Sequence, residues 1–106
     1  MKKLSAIHPG EVLLEDFMKP LDLTPYRVSK DIGVPSLKIS QIIQGKRPIT
    51  PDTALRLARY FGTSAEVWLR LQLRYDLESE QEKSAERISR QVRVLKQPES
   101  HIQMPA

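Results

Sequence analysis

At 106 residues and 40% hydrophobic content, the chain is sized for one small domain with a single core; with aromatics at only 6%, helices packed through Leu, Ile, Val and Ala suit it better than an aromatic-rich sandwich. Cysteine is absent, which excludes a disulfide scaffold and any thiolate-bound zinc or iron–sulfur site. The net charge of +4 is unevenly placed: residues 1–63 carry ten Lys and Arg against six Asp and Glu, whereas residues 64–106 carry seven against seven, so a polyanion is attracted to the first part alone.

Residues 1–8 are expected to form a flexible tail. Lys2 and Lys3 begin it, but His8, Pro9, Gly10 and Glu11 interrupt any signal-peptide core, and no stretch approaches the ~20 apolar residues of a membrane span. A cytoplasmic protein with no membrane partner is the expectation. Pro9, at a position that tolerates its missing N–H, then opens a helix carrying Val12, Leu13, Phe17 and Met18 at helical spacing until Pro20 ends it. Thr24 and Pro25 form a second start signal, an N-cap hydroxyl followed by proline at the first helical position. This helix turns Val28 and Ile32 inward and stops at Gly33, which allows positive φ and a sharp turn into the next helix.

The stretch from Val34 to Arg47 follows. Ile39, Ile42 and Ile43 recur at spacings of three and four and form one narrow buried stripe. At about 100° per residue, Leu37 and Gln41 point away from that stripe, flanked by Lys38, Ser40 and Gln44. Gly45 stops the helix, and Lys46 and Arg47 follow at once. Thr50, Pro51 and Asp52 open a further helix with Ala54, Leu57, Ala58 and Phe61 inward, closed by Gly62. Thr63 and Glu66 have capping-box spacing. From there to Gln97 neither Gly nor Pro occurs, so one long helix, or two with a weak break near Ser79, is expected.

That last helix is apolar on two sectors, one of Val67, Trp68, Leu71 and Tyr75 and a nearly opposite one of Leu69, Leu73 and Leu77. The second sector is either a dimer or partner interface or is covered by the C-terminal tail folding back. Ala85, Ile88, Val92 and Leu95 add a short seam suited to folding against a partner. The organisation expected is therefore a helix-turn-helix domain over 9–78, a helical extension over 79–97 and a disordered tail over 98–106.

Five helices with a glycine turn between the second and third resemble the lambda-repressor-like helix-turn-helix domains. His8-Pro9-Gly10-Glu11-Val12-Leu13, Gly33-Val34-Pro35, Gly45-Lys46-Arg47 with Ile49-Thr50, Thr53 to Thr63, and Trp68-Leu69 look, in that order, like the HigA (VapI) group of antitoxins. This resemblance covers roughly residues 7–78 and implies an all-α fold. It also implies an antitoxin that binds a HigB-like mRNA endonuclease toxin and represses the operon encoding both, acting as a homodimer on a palindromic operator in double-stranded DNA.

In that reading the helix of Pro35 to Gln44 enters a major groove. Ser36, Leu37, Lys38 and Gln41 are the base contacts: Gln41 pairs with adenine, Lys38 reaches guanine acceptors, Ser36 bonds to either and Leu37 packs on a thymine methyl. Thr24, Tyr26, Arg27, Ser40, Lys46 and Arg47 hold phosphates, which sets register without reading sequence. Trp68 and Tyr75 at helical spacing read as core or interface, and His8 and His101 as incidental, with no metal-ligand spacing. No nucleophile and base are paired, so neither an enzyme nor a cofactor is expected. Two alternatives remain: a stand-alone transcriptional regulator with no toxin, and a protein-interaction module whose basic face is decorative.

Overall fold

The computed structural model describes residues 6–96, and the expectations for residues 1–5 and for 97–106 lie outside them. Helix α1 (Pro9–Val12) continues as a π-helical segment over Leu13–Met18, and α2 (Pro25–Ile32), α3 (Ser36–Ile43), α4 (Pro51–Phe61) and α5 (Ala65–Gln91) follow. No strand occurs among the described residues. The fold is all-α, and α2 and α3 pack against each other as the helix-turn-helix pair.

Local chemistry sets these boundaries. The Thr24 hydroxyl accepts from the Arg27 N–H at 3.0 Å, and Thr50 accepts from the Thr53 N–H, each cap being followed by a proline. Gly33 takes φ 75°, the left-handed conformation that the turn into α3 requires. The first helix departs from the regular periodicity expected of it. Its widened turns, with Lys19 N–H donating to the Leu14 carbonyl at 2.9 Å, still bring Leu13 and Met18 completely inside.

The core joins Leu13, Met18, Val28, Ile39, Ile42, Ala54, Leu57 and Trp68, all fully buried. Phe17 lies with its ring centroid 4.9 Å from that of Phe61 and 5.1 Å from that of Trp68, sealing α4 and α5 onto the first helix. The start of α5 is shifted by one residue from expectation. Ser64, not Thr63, caps it, because the Thr63 hydroxyl accepts the Trp68 indole N–H at 2.8 Å while Ser64 accepts from Val67 N–H at 3.2 Å. Val67, expected inside, is exposed.

Helix α5 is continuous through Ser79 and ends at Gln91. Val92 is extended and exposed, and Leu95 lies beyond the helix and is exposed, so the expected helical seam does not reach these two residues. Nothing in the described fold packs on them, and a helix end without packing has little to hold it.

His8 corrects both the tail and the incidental reading. It is buried, and its Nδ1 accepts the Gly10 N–H at 2.8 Å, capping α1, while its ring meets Tyr75 edge-on at 4.7 Å. One residue on, Gly10 sits so close to α3 that a Cβ there would lie 1.8 Å from the Ile42 carbonyl oxygen. The first helix is thus fixed between the end of α3 and α5.

Gly10→Ala is expected to destabilise the protein by about 3 kcal/mol or more, since the clash is with backbone that has no rotamer to adopt, and urea melts of the two proteins measure it. His8 makes a second prediction. Burial holds its pKa below the ordinary 6.5, against an opposing pull from Asp76. The unfolded chain therefore protonates first, so this contribution to stability is complete above the ordinary value and is lost as pH falls through the lowered one. His8→Ala should lower stability by about 1 kcal/mol at neutral pH and flatten the stability profile as pH falls below the ordinary histidine value.

Candidate nucleic-acid interface

Helix α3 buries Ile39 and Ile42 completely and Ile43 partly, which leaves the other side of an eight-residue helix outside the core. On that side Ser36 is exposed, Leu37 is 63% exposed, and Lys38, Ser40 and Gln41 are half-buried. Among α2 to α5, α3 alone has no side chain capping its N-terminus, and no acidic residue occupies its first turn. Its first N–H groups and the positive end of its dipole thus remain available to an anion.

The residues expected at phosphates come from three elements. Thr24 and Tyr26 lie at the start of α2, both exposed, with the Thr24 oxygen already serving as the cap. Arg27 is less free than its sequence position suggests: its Nε donates to Asp31 Oδ2 at 2.7 Å. Asp31 also accepts the Tyr60 hydroxyl of α4 at 2.5 Å. That phenol first, then Arg27, holds the Asp31 carboxyl below the usual carboxylate range. Arg27 is therefore tethered at one edge, with its remaining N–H groups available. Ser29, whose hydroxyl donates to the Tyr26 carbonyl at 2.8 Å, stands 3.4 Å from the Ser36 hydroxyl and joins α2 to the start of α3.

Beyond α3, Lys46 and Arg47 are exposed. Arg47 Nε donates to Gln41 Oε1 at 2.8 Å, so an expected phosphate contact and an expected base contact touch directly. Sequence spacing did not reveal this pairing. It also missed the supports behind the helix. Gln72 of α5 is buried and accepts the Ile49 N–H at 2.8 Å while donating to Asp76 at 3.0 Å, anchoring the loop after α3. Arg56 of α4 donates to the Ile32 carbonyl at 2.8 Å and to Asp52 at 2.9 Å, fixing the end of α2.

The three leucines assigned to an interface separate. Leu69 is half-buried against the core, whereas Leu73 and Leu77 are 57% and 53% exposed. Steps of four residues advance about 40° round a helix, so this row drifts from the core toward solvent. Leu73 and Leu77 line an open groove of about 310 Å³ with Arg70, Arg74, Glu78 and Gln81. No helix among the described residues is long and apolar enough to cross a membrane.

A family model described as Helix-turn-helix matches residues 14–68. The chain is 45% identical over 84 residues to virulence-associated protein I of Dichelobacter nodosus, covering 78% of each. An addiction module antidote protein of the HigA family from Coxiella burnetii superposes with a TM-score of 0.82 at 38% identity, over 87% of this chain and 100% of that one. The Pseudomonas aeruginosa antitoxin HigA with higBA promoter does so at 0.83 and 33% identity, over 85% and 98%. Fold and exposed α3 face define a helix-turn-helix DNA-binding protein, a class of regulators and antitoxins rather than enzymes. Within that class, the chain belongs to the HigA/VapI group of the lambda-repressor-like family.

Leu37 supports no part of the core, so Leu37→Ala is expected to leave stability within about 0.5 kcal/mol. If Leu37 meets a base edge, its removal should nevertheless weaken binding to cognate DNA by about fivefold, as read by fluorescence anisotropy alongside a thermal melt; unchanged affinity would exclude that contact.

Proposed function

We propose that the protein is an antitoxin that binds a HigB-like toxin and represses its own operon by seating α3 in the major groove of a palindromic operator. The observation that carries this reading is the outward face of α3, polar or apolar side chains around an uncapped helix start, on a helix whose other face is locked into the core. Ser36, Leu37, Lys38 and Gln41 meet base edges. Thr24, Tyr26, Arg27, Ser40, Lys46 and Arg47 hold the backbone on either side. A homodimer places two such helices on half-sites, with Leu73 and Leu77 the most exposed of the uncovered apolar residues of α5, beside Val67 and Ile88, and Leu69 at the edge of that surface. Residues 9–78 act as the DNA-binding unit and the remainder of α5 as its extension.

The test of operator binding is the protein's affinity for the DNA upstream of its own gene against a scrambled duplex. Lys38→Ala and Gln41→Ala together should abolish the preference, whereas Lys46→Ala should weaken both duplexes alike and reduce the salt dependence by about one ion. Equal affinity for both duplexes in the wild type would sink the proposal. For the toxin, a small basic protein encoded beside this gene should co-purify with the chain. If it does not, the same α3 face serves a stand-alone regulator.

A further inference from the structure

The turn after α3 does more than end the helix. Gly45, at φ 76°, forms a Schellman arrangement in which its N–H donates to the Ile42 carbonyl at 3.0 Å and the Lys46 N–H donates to the Gln41 carbonyl at 2.8 Å. The chain is thereby folded back along the helix it has just left, and Arg47 emerges beside Gln41, with Nε 2.8 Å from Oε1. Residue 41 is thus held twice, through its backbone by Lys46 and through its side chain by Arg47.

A guanidinium donates and never accepts, so the Gln41 amide must turn its oxygen toward Arg47 and its NH2 group away. We propose that Arg47 is a positioning residue for base readout, which fixes the amide plane of Gln41 before DNA arrives. This rests on the reading of α3 as a major-groove helix. With one lone pair of Oε1 taken by Arg47, the second accepts from an adenine N6–H while Nε2 donates to N7 of the same base, the pairing that distinguishes adenine in the major groove. A glutamine on an open helix face samples many rotamers, and one already fixed loses less freedom on docking. Arg47 is exposed, and its remaining N–H groups are left to bind a phosphate, so one residue ties backbone register to the base read by its neighbour.

Duplexes selected by the wild-type protein from a randomised pool provide the probe. Wild type, Arg47→Ala, Arg47→Lys, Gln41→Ala and the double variant are then compared on that duplex and on versions with each base pair replaced. In the wild type one A·T pair should be discriminated by about tenfold or more, and Gln41→Ala should erase this. Arg47→Ala should reduce discrimination at that same pair to about threefold or less. Arg47→Lys should keep wild-type salt dependence, because the charge remains, yet discriminate like Arg47→Ala, because its ammonium lacks the fixed fork. Adding Arg47→Ala to Gln41→Ala should change discrimination no further. If Arg47→Ala weakens every duplex uniformly and preserves wild-type discrimination at that pair, Arg47 is a phosphate contact only and the proposal is overturned. It is overturned equally if Gln41→Ala alters no base preference. Failure of the wild type to select any sequence removes the major-groove reading itself.

Discussion

The structure depends on the contact of two backbones, Gly10 of the first helix against the carbonyl of Ile42 near the end of α3. Hydrogen is the only side chain that fits there. Such close approach makes the position of α3 insensitive to side-chain rotamers at that end, because backbone carbonyls cannot step aside. His8 tightens the same junction: it caps α1 through Gly10, meets Tyr75 of α5, and has its ring within van der Waals reach of a Cβ placed at Gly45. His8 and Gly10 thus set the height at which α3 stands on the rest of the protein.

From that junction the remaining contacts follow in order. The first helix packs on both α3 and α5, α2 packs on α3 and α4, and α4 packs on α5, so α3 is gripped from two sides without needing a direct layer against α5. Gln72 adds the one polar strut that α5 sends to the loop beyond α3. No buried side-chain nitrogen or oxygen among the described residues lacks a partner. A core so closed gives its recognition helix little freedom to tilt, and base edges are recognised by hydrogen bonds whose strength falls steeply with misalignment.

Local signals were legible in the sequence, and contacts across it were not. Thr24-Pro25 and Thr50-Pro51 announced their helices because cap, proline and first turn are neighbours in the chain. The isoleucine stripe of α3 was legible for the same reason, since its period is a property of the helix alone. Thr63 misled by one residue because its hydroxyl satisfies Trp68, a partner that only the folded turn brings within reach. His8 looked incidental because Gly45 and Tyr75 lie far along the chain, and the roles of Gln72 and Asp31 depend on similarly distant partners. Arg47 and Gln41 are separated by only six residues, yet helical periodicity cannot pair them, because the Schellman turn between them ends that periodicity.

The distribution of ion pairs sharpens what the net charge suggested. On α5, Arg74 pairs with Glu78, Lys83 with Glu80 and Arg90 with Glu86, so three of its five cations are matched within their own helix. Each such exposed pair stabilises little, but together they keep the far part of the protein from attracting a polyanion. Around α3 the situation is graded. Arg56 faces Asp52 and the end of α2, Arg27 is half-engaged by Asp31, and Arg47 is committed at one nitrogen to a neutral glutamine, which leaves its charge intact. In the proposed mode of binding, this partial neutralisation of the flanking cations weakens the sequence-independent attraction to phosphates, while the residues assigned to base edges are unaffected. The balance therefore moves from adhesion to any DNA toward discrimination by α3. A strongly basic surface would have gained affinity and lost that distinction.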